Sequence, residues 1–270
     1  MIFFVKLPFY LKFGHASDCK NPSERVIFRA FEILPGFLVW ATLIMLTFFS
    51  WALPIGTSIF VIAFDIYWLL KTFFLAVHLN ASYKKMREHM KIHWMKRLRE
   101  LPSNISTIGI RNWEDIYQVV ILPNFQEPEI VLSETMDTII KSSFPTKKMI
   151  IVLAIEEAGG GEDKKIAEAI EKKYAKHFFR FLVTIHPAGL PGELRGKGAN
   201  ETWAARRVQE EIIDPLHIPY ERIIISSLDS DTQIYPDYFS IVSYHYLTVR
   251  DPLHSSFQPI PVYNNNIWSV

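Results

Sequence analysis

Arg222-Ile-Ile-Ile-Ser-Ser-Leu-Asp229-Ser-Asp231 is an apolar, β-branched run that ends on two acidic residues spaced by one. Such a run predicts a short buried strand. A strand delivers the residues that follow it to the end of a sheet, where open α/β folds bind ligands. Carboxylates there are hard oxygen ligands suited to Mg2+ or Mn2+ carrying a diphosphate. Asp-x-Asp by itself is more often a solvated turn, so its meaning depends on the rest of the chain.

Working back from that stretch, strands and helices alternate. Tyr117 to Leu122 is an apolar strand ending at Pro123, and Glu129 to Lys141 has helical spacing with Ile130, Met136, Ile139 and Ile140 on its buried side. Lys148 to Ile155 is a second strand, ending on Glu156-Glu157. Gly159-Gly-Gly161 turns into a charged amphipathic helix from Glu162 to Lys176, and Phe178 to Ile185 is a third strand. A Gly- and Pro-rich loop from His186 to Gly196 leads to a helix over Ala199 to Asp214, and Arg222 to Leu228 is the fourth strand. Tyr235-Pro-Asp237 opens a last helix to Val249 with Asp237 as its first-turn acid, and Phe257 to Tyr263 reads as a further strand. The alternation predicts a mostly parallel sheet covered on both faces. Continuous apolar strands fit that class better than alternating ones. Glu127, Glu156, Glu157, Lys197, Asp229 and Asp231 all follow strands or open helices, where ligands of such folds gather.

The 270 residues carry a formal net charge of +1. That balance excludes a typical nucleic-acid binder, which would show a basic excess. The single cysteine, Cys19, excludes an internal disulfide and fits a reducing compartment. The first residues are too short an apolar run for a cleavable signal peptide. A dense apolar block occupies residues 33–79: Ile33 to Leu53 has no charge, Pro54-Ile-Gly56 breaks it, and a second run to Leu79 is interrupted by Asp65 and Lys71. Each run is long enough to span a bilayer, so the block predicts a transmembrane α-hairpin. Lys6, Lys12, Lys20, Arg25 and Arg29 precede it, and Lys84, Lys85, Arg87, Lys91, Lys96, Arg97 and Arg99 follow it. The positive-inside rule then puts the N-terminal segment 1–32 and everything after Leu79 in the cytoplasm, on a multi-pass protein of the cell membrane. Residues 80–101 read as an amphipathic basic helix on the membrane surface, with Met86, Met90, Trp94 and Leu98 on one face and Trp94 at headgroup level. Asp65 either pairs with Lys71 or a polar neighbour or faces a polar path. His89 and His93 lack a third ligand and belong to the face of that helix.

Four segments, in order, resemble the family 2 glycosyltransferases of the GT-A fold. Pro123-Asn-Phe-Gln-Glu127 looks like the family's Pro-x-Tyr-Asn-Glu box, and Glu156-Glu157-Ala-Gly stands where the family has Asp-Asp-Gly-Ser. Gly196-Lys197-Gly198-Ala-Asn200 looks like the Lys-x-Gly-Ala-x-Asn segment, and Leu228-Asp229-Ser-Asp231 looks like the metal-binding Asp-x-Asp. The resemblance covers residues 117–270, within a domain expected over 115–270. It implies a Rossmann-like nucleotide-diphospho-sugar-binding domain, a nucleotide-diphosphate sugar donor, a carbohydrate or lipid-linked acceptor, a divalent metal (Mg2+ or Mn2+) and inversion at the anomeric carbon. It also implies roles. Asp229 and Asp231 hold the metal, Lys197 neighbours the diphosphate, and Glu127 and Glu156 face the nucleoside. Read from the residues alone, these five are also explained as a solvated turn, a surface lysine and a helix cap. His186 and Arg195 either line the cleft or pack the loop through Pro187, while core packing and surface charge explain Trp203 and Arg206.

The chain departs from the family in two ways. Glu156-Glu157 replaces paired aspartates, keeping charge but lengthening reach. The 39 residues from Thr232 to Val270 contain neither the family's acceptor-side aspartate segment nor its Gln-x-x-Arg-Trp segment, and Asp251 lacks the context of a base. The expectation is therefore the donor-binding part of a longer enzyme. Alternatives are an inactive membrane scaffold keeping the fold and a nucleotidyltransferase-like enzyme. The latter usually carries a Gly-rich phosphate loop in its first βα turn, unlike Asn124-Phe-Gln-Glu127.

Overall fold

The computed structural model describes residues 16–190 and 193–260. The chain divides into two compact units, an N-terminal helical one ending at Ile92 and an α/β one beginning at His93.

The helical unit is built from α1 (Pro22–Ala52) and α2 (Pro54–His89). Asn21 caps α1, its side chain accepting from Ser23 N at 3.0 Å, and Pro22 takes the first turn, where no N–H is needed. Pro54 ends α1 sterically, because the residue before a proline is driven out of the helical region; Leu53 stands at φ −138°, ψ 63°. Thr42, Thr47, Thr57 and Ser58 each donate to the carbonyl four residues back, at 2.7, 3.0, 3.2 and 2.8 Å. Their hydroxyls are thus satisfied inside the helices, as an apolar environment demands. Neither helix buries a residue in protein, and both are long and apolar enough to cross a membrane. Lys71 does not meet Asp65. A separation of six puts the two on different faces, and the ammonium instead stands 5.0 Å from the Trp68 ring and 5.7 Å from Tyr67.

The single surface helix expected over residues 80–101 is two pieces. The second long apolar helix, α2, continues to His89, the chain turns, and a short α3 (Trp94–Arg99) begins the α/β unit. Trp94 is only 4% exposed and packs its ring edge-on to Tyr244, with Met95 and Leu98 buried beside it. A spacing of four marks an apolar face without saying what covers it, and here protein covers its C-terminal half.

Four parallel strands form the sheet: β1 (Tyr117–Asn124), β2 (Met149–Glu156), β3 (Arg180–His186) and β4 (Ile223–Ser227), in the order β3-β2-β1-β4. All eight residues of β2 are buried, which is why its sequence is apolar without alternation. Leu122, Ile151, Leu153 and Ile155 point to the layer of α4 (Glu129–Ile140), α5 (Gly160–Tyr174) and α7 (Tyr238–Thr248). Val119, Ile121, Ile150, Val152 and Ala154 point the other way, to α6 (Lys197–Val208). Ile130, expected in the α4 core, is 63% exposed. The buried stripe is Leu132, Thr135, Met136 and Ile139, and Ile130 lies two residues, more than half a turn, from its start. A π-turn over Gln209–Ile213 follows α6 where the expected helix ran straight to Asp214. Residues 257–260 are not in a strand, and the rest of that expected strand, like Lys6 and Lys12, lies outside the described residues.

Two tyrosines set an alkaline limit on this unit. Burial raises the pKa of Tyr238 above the ordinary 10.0, and burial with the nearby Glu221 charge does the same for Tyr246. Raised values mean the folded state favours the neutral phenols. Their stabilisation is therefore complete below pH 10 and is lost as pH rises through the folded values. The melting temperature should hold from pH 8 to 9.5 and fall above about pH 10. Tyr246→Phe should flatten that fall.

Candidate functional site

The strand order reverses at β1. The chain steps outward from β1 through β2 to β3, then returns to lay β4 on the opposite side of β1. The connections leaving β1 and β4 both lead into the layer of α4 and α7, while the one leaving β3 leads to α6 on the other face, and such sheets bind ligands beyond the carboxyl ends of their strands. Asn124-Phe-Gln-Glu127 leaves β1 at this point and Leu228-Asp229-Ser-Asp231 leaves β4.

Each loop is fastened. Leu228 N donates to Ile121 O at 3.1 Å, so the β4 ladder runs one residue past the strand. Thr135 of α4 donates to Ser230 O at 2.7 Å, and Thr232 N closes a turn on Asp229 O at 3.0 Å. The Asp-x-Asp segment is thereby held in shape with both carboxylates exposed. On the β1 side, Gln126 takes φ 59° and its N–H donates to Asp163 Oδ2 at 3.1 Å. Asp163, 2% exposed in the first turn of α5, needs glycine beneath it, since a Cβ at Gly159 would lie 1.8 Å from that oxygen. Glu157 accepts from Ala188 N at 2.9 Å and ties down the loop after β3.

That loop and the start of α6 supply the positive charge. Lys197 forms an ion pair with Asp229 and lies 3.6 Å from Glu201, whose Oε1 accepts from Ser227 at 2.7 Å. Burial, the largest influence on Lys197, pulls its pKa down. The hydrogen bond to Asp229 and the charges of Asp229 and Glu201 outweigh it, leaving the pKa above the ordinary 10.5. It is a cation at any physiological pH. Arg195, two residues earlier, donates to Glu156 Oε2 at 3.3 Å and lies over the Phe125 ring. A line of charges, Glu156–Arg195 and Lys197–Asp229, therefore joins the ends of β2 and β4 through one short segment. Glu127 is half-buried two residues beyond Phe125, and its carboxylate has no partner among the described residues.

Of the residues singled out by sequence, Lys197 and Asp229 meet directly, and Glu156 is linked to them through Arg195. Asp231 stands two residues from Asp229 on the same loop. His186, the last residue of β3, is 6% exposed and meets Trp203 of α6 edge-on, while Arg195 turns to Glu156. Asp237 accepts from Trp94 N at 3.1 Å and from Ser143, and Asp251 pairs with His254 at 3.0 Å. Two buried asparagines lie inside the segments quoted from the sequence but were given no role there. Asn124 is 1% exposed and neither amide atom has a partner, and Asn200 donates to Ala154 O at 2.9 Å while its Oδ1 has none. Buried polar atoms of this kind call for a water or ligand. An asparagine closing an apolar strand was the only hint of the first.

Among the described residues no three His, Cys, Asp or Glu side chains converge as a closed metal cage. Two exposed carboxylates on one loop do fit a hard cation that keeps some waters and shares a phosphate ligand. The chain matches no family model, no curated protein and no solved structure.

Proposed function

We propose that this chain is a membrane-anchored inverting glycosyltransferase of the family 2 type and GT-A fold, or its donor-binding part. It takes a sugar from a nucleotide-diphosphate sugar on the cytoplasmic face of the cell membrane, for a carbohydrate or lipid-linked acceptor. The observation that carries this reading is the meeting of Lys197 with Asp229 at the carboxyl edge of the sheet, where β4 lies beside β1. It sets a cation beside the Asp-x-Asp loop, where a diphosphate needs both.

Asp229 and Asp231 would hold Mg2+ or Mn2+, which supplies Lewis-acid stabilisation of the departing diphosphate. Lys197 adds fixed positive charge to the same oxygens, whereas the amides of Ala199 and Asn200 after Gly198 already donate to Gly196 O. Glu127 and Glu156 accept hydrogen bonds from base or ribose. The helices α1 and α2 with their basic flanks hold the domain on the cytoplasmic face. No acceptor base is assigned, since Asp237 and Asp251 are already engaged as described.

The test is titration of the full chain in detergent with UDP- and GDP-sugars in Mn2+, wild type against Asp231→Ala. Binding by the wild type with at least a tenfold loss in the variant is expected, the cost of one charged contact being about 1.5–3 kcal/mol. If neither sugar nucleotide binds in a metal-dependent way, the transferase reading fails and a scaffold keeping the fold takes its place.

A further inference from the structure

Arg99, the last residue of α3, borders a cavity of about 90 Å3 beside the segment that enters β1. Arg111 and Trp113 of that segment line it too, as does Leu247 in the last turn of α7. The cavity thus belongs to the amino end of β1, whereas Lys197 and Asp229 meet at the carboxyl edge of the sheet.

Its polar groups are all of one kind. Neither guanidinium has a carboxylate partner, and the Trp113 indole N–H has no acceptor, among the described residues. No aspartate or glutamate stands in the lining. The acids next to it in sequence are engaged elsewhere: Glu100 pairs with Lys96 at 3.9 Å, and Glu114 accepts from Asn112 Nδ2 at 3.3 Å. Arg195, Arg207 and Arg222 of the same unit each meet a carboxylate. Two like charges bordering one small cavity repel each other, and an anion between them turns that repulsion into attraction.

A guanidinium offers its N–H groups as a planar fork that suits a carboxylate or a phosphate. Three donor groups exceed what the two oxygens of a carboxylate use, and they match the free oxygens of a phosphate monoester. The volume is that of about three waters, or of one phosphate group. Ile110 and Leu247, 4% and 3% exposed, give the cavity an apolar wall, and Ile105 adds an exposed apolar rim. Such a wall favours a phosphate attached to a hydrocarbon over the bare ion.

We infer that this cavity is a phosphate site, separate from the donor site, for a phosphate monoester carrying an apolar group. Two sources offer that chemistry, the headgroup of a phosphatidic acid and a soluble alkyl phosphate. The chain keeps the first within range, since the ten residues from His89 to Arg99 reach at most about 35 Å from the last turn of α2.

The test is calorimetric titration of the full chain, in phosphatidylcholine nanodiscs and EDTA, with hexyl phosphate, inorganic phosphate and hexanoate. Hexyl phosphate should bind about tenfold or more tighter than either of the others. Arg99→Ala and Arg111→Ala should each weaken it about tenfold or more, and Arg111→Lys should recover part of the loss. Melting temperatures should match the wild type, because both arginines are exposed. Lys197→Ala should leave hexyl phosphate binding unchanged, which sets this cavity apart from the donor site. Phosphatidic acid added to the nanodisc separates the two sources. Loss of hexyl phosphate binding then assigns the cavity to the headgroup, and unchanged binding assigns it to a soluble ester. Absence of hexyl phosphate binding, indifference to both arginine substitutions, or hexanoate bound as tightly overturns the inference.

Discussion

Ile151→Ala should lower the unfolding free energy of the α/β unit by about 2–5 kcal/mol. Ile151 is fully buried at the middle of β2, in register with Val120 on one side and Phe181 on the other. Its side chain lies in the larger of the two core clusters, with Leu122, Met136 and Ile170. Truncation removes three carbons from a layer held on both sides by other strands, so the cavity cannot close by a shift of one element. A loss of this size is a large fraction of the roughly 5–15 kcal/mol that holds a typical domain. Chemical denaturation of the full chain, followed through tryptophan fluorescence to which Trp94, Trp113 and Trp203 of this unit contribute, measures it. A midpoint shift without a change in slope is expected. The exposed Ile130→Ala serves as the contrast, with a change within about 0.5 kcal/mol.

Lys197→Ala should cost about 10- to 100-fold in affinity for a nucleoside diphosphate and far less for the nucleoside alone. Lys197 stands against Asp229 with its charge secured by two carboxylates, at the start of α6. Removing it leaves the diphosphate to face Asp229 and Asp231 with one less compensating charge. The ratio of UDP to uridine affinity is the informative quantity. A structural effect of the substitution would lower both together, whereas loss of a diphosphate contact lowers only the first. Lys197→Arg should recover part of the loss, since the charge returns with a different shape.

β2 was legible because a parallel strand sealed on both faces needs an unbroken apolar, β-branched run. β4 has such a run as well, but the buried strand expected there is an edge strand with one open face, Ile225 being 56% exposed. The alternation with charged amphipathic segments such as α5 then gave the layer order. That Lys197 and Asp229 would gather at one edge of the sheet was legible because a cation and an acidic pair each stood at a strand or helix end. What was not legible depends on tertiary neighbours. Trp94 and Leu98 share an apolar spacing with Met86 and Met90, yet one pair is sealed by protein and the other belongs to α2. The reach of Arg195 to Glu156 and Phe125 is a property of a long side chain in a loop, which no spacing encodes. Asn124 carries no sequence signal of its isolation, since only the closed fold makes its amide a buried group without a partner.

The central claim is that the Asp-x-Asp loop and Lys197 together bind a cation and a diphosphate as one unit. Electron paramagnetic resonance of Mn2+ titrated into the full chain, with and without UDP or GDP, tests it most directly. The protein alone should retain Mn2+ weakly, because two carboxylates with no third ligand among the described residues form an open site. Retention should be at least tenfold tighter when protein and nucleotide are both present than with either alone, and that gain should be lost in Asp231→Ala. Mn2+ held equally well without nucleotide, or nucleotide bound equally well in the presence of a chelator, would contradict it.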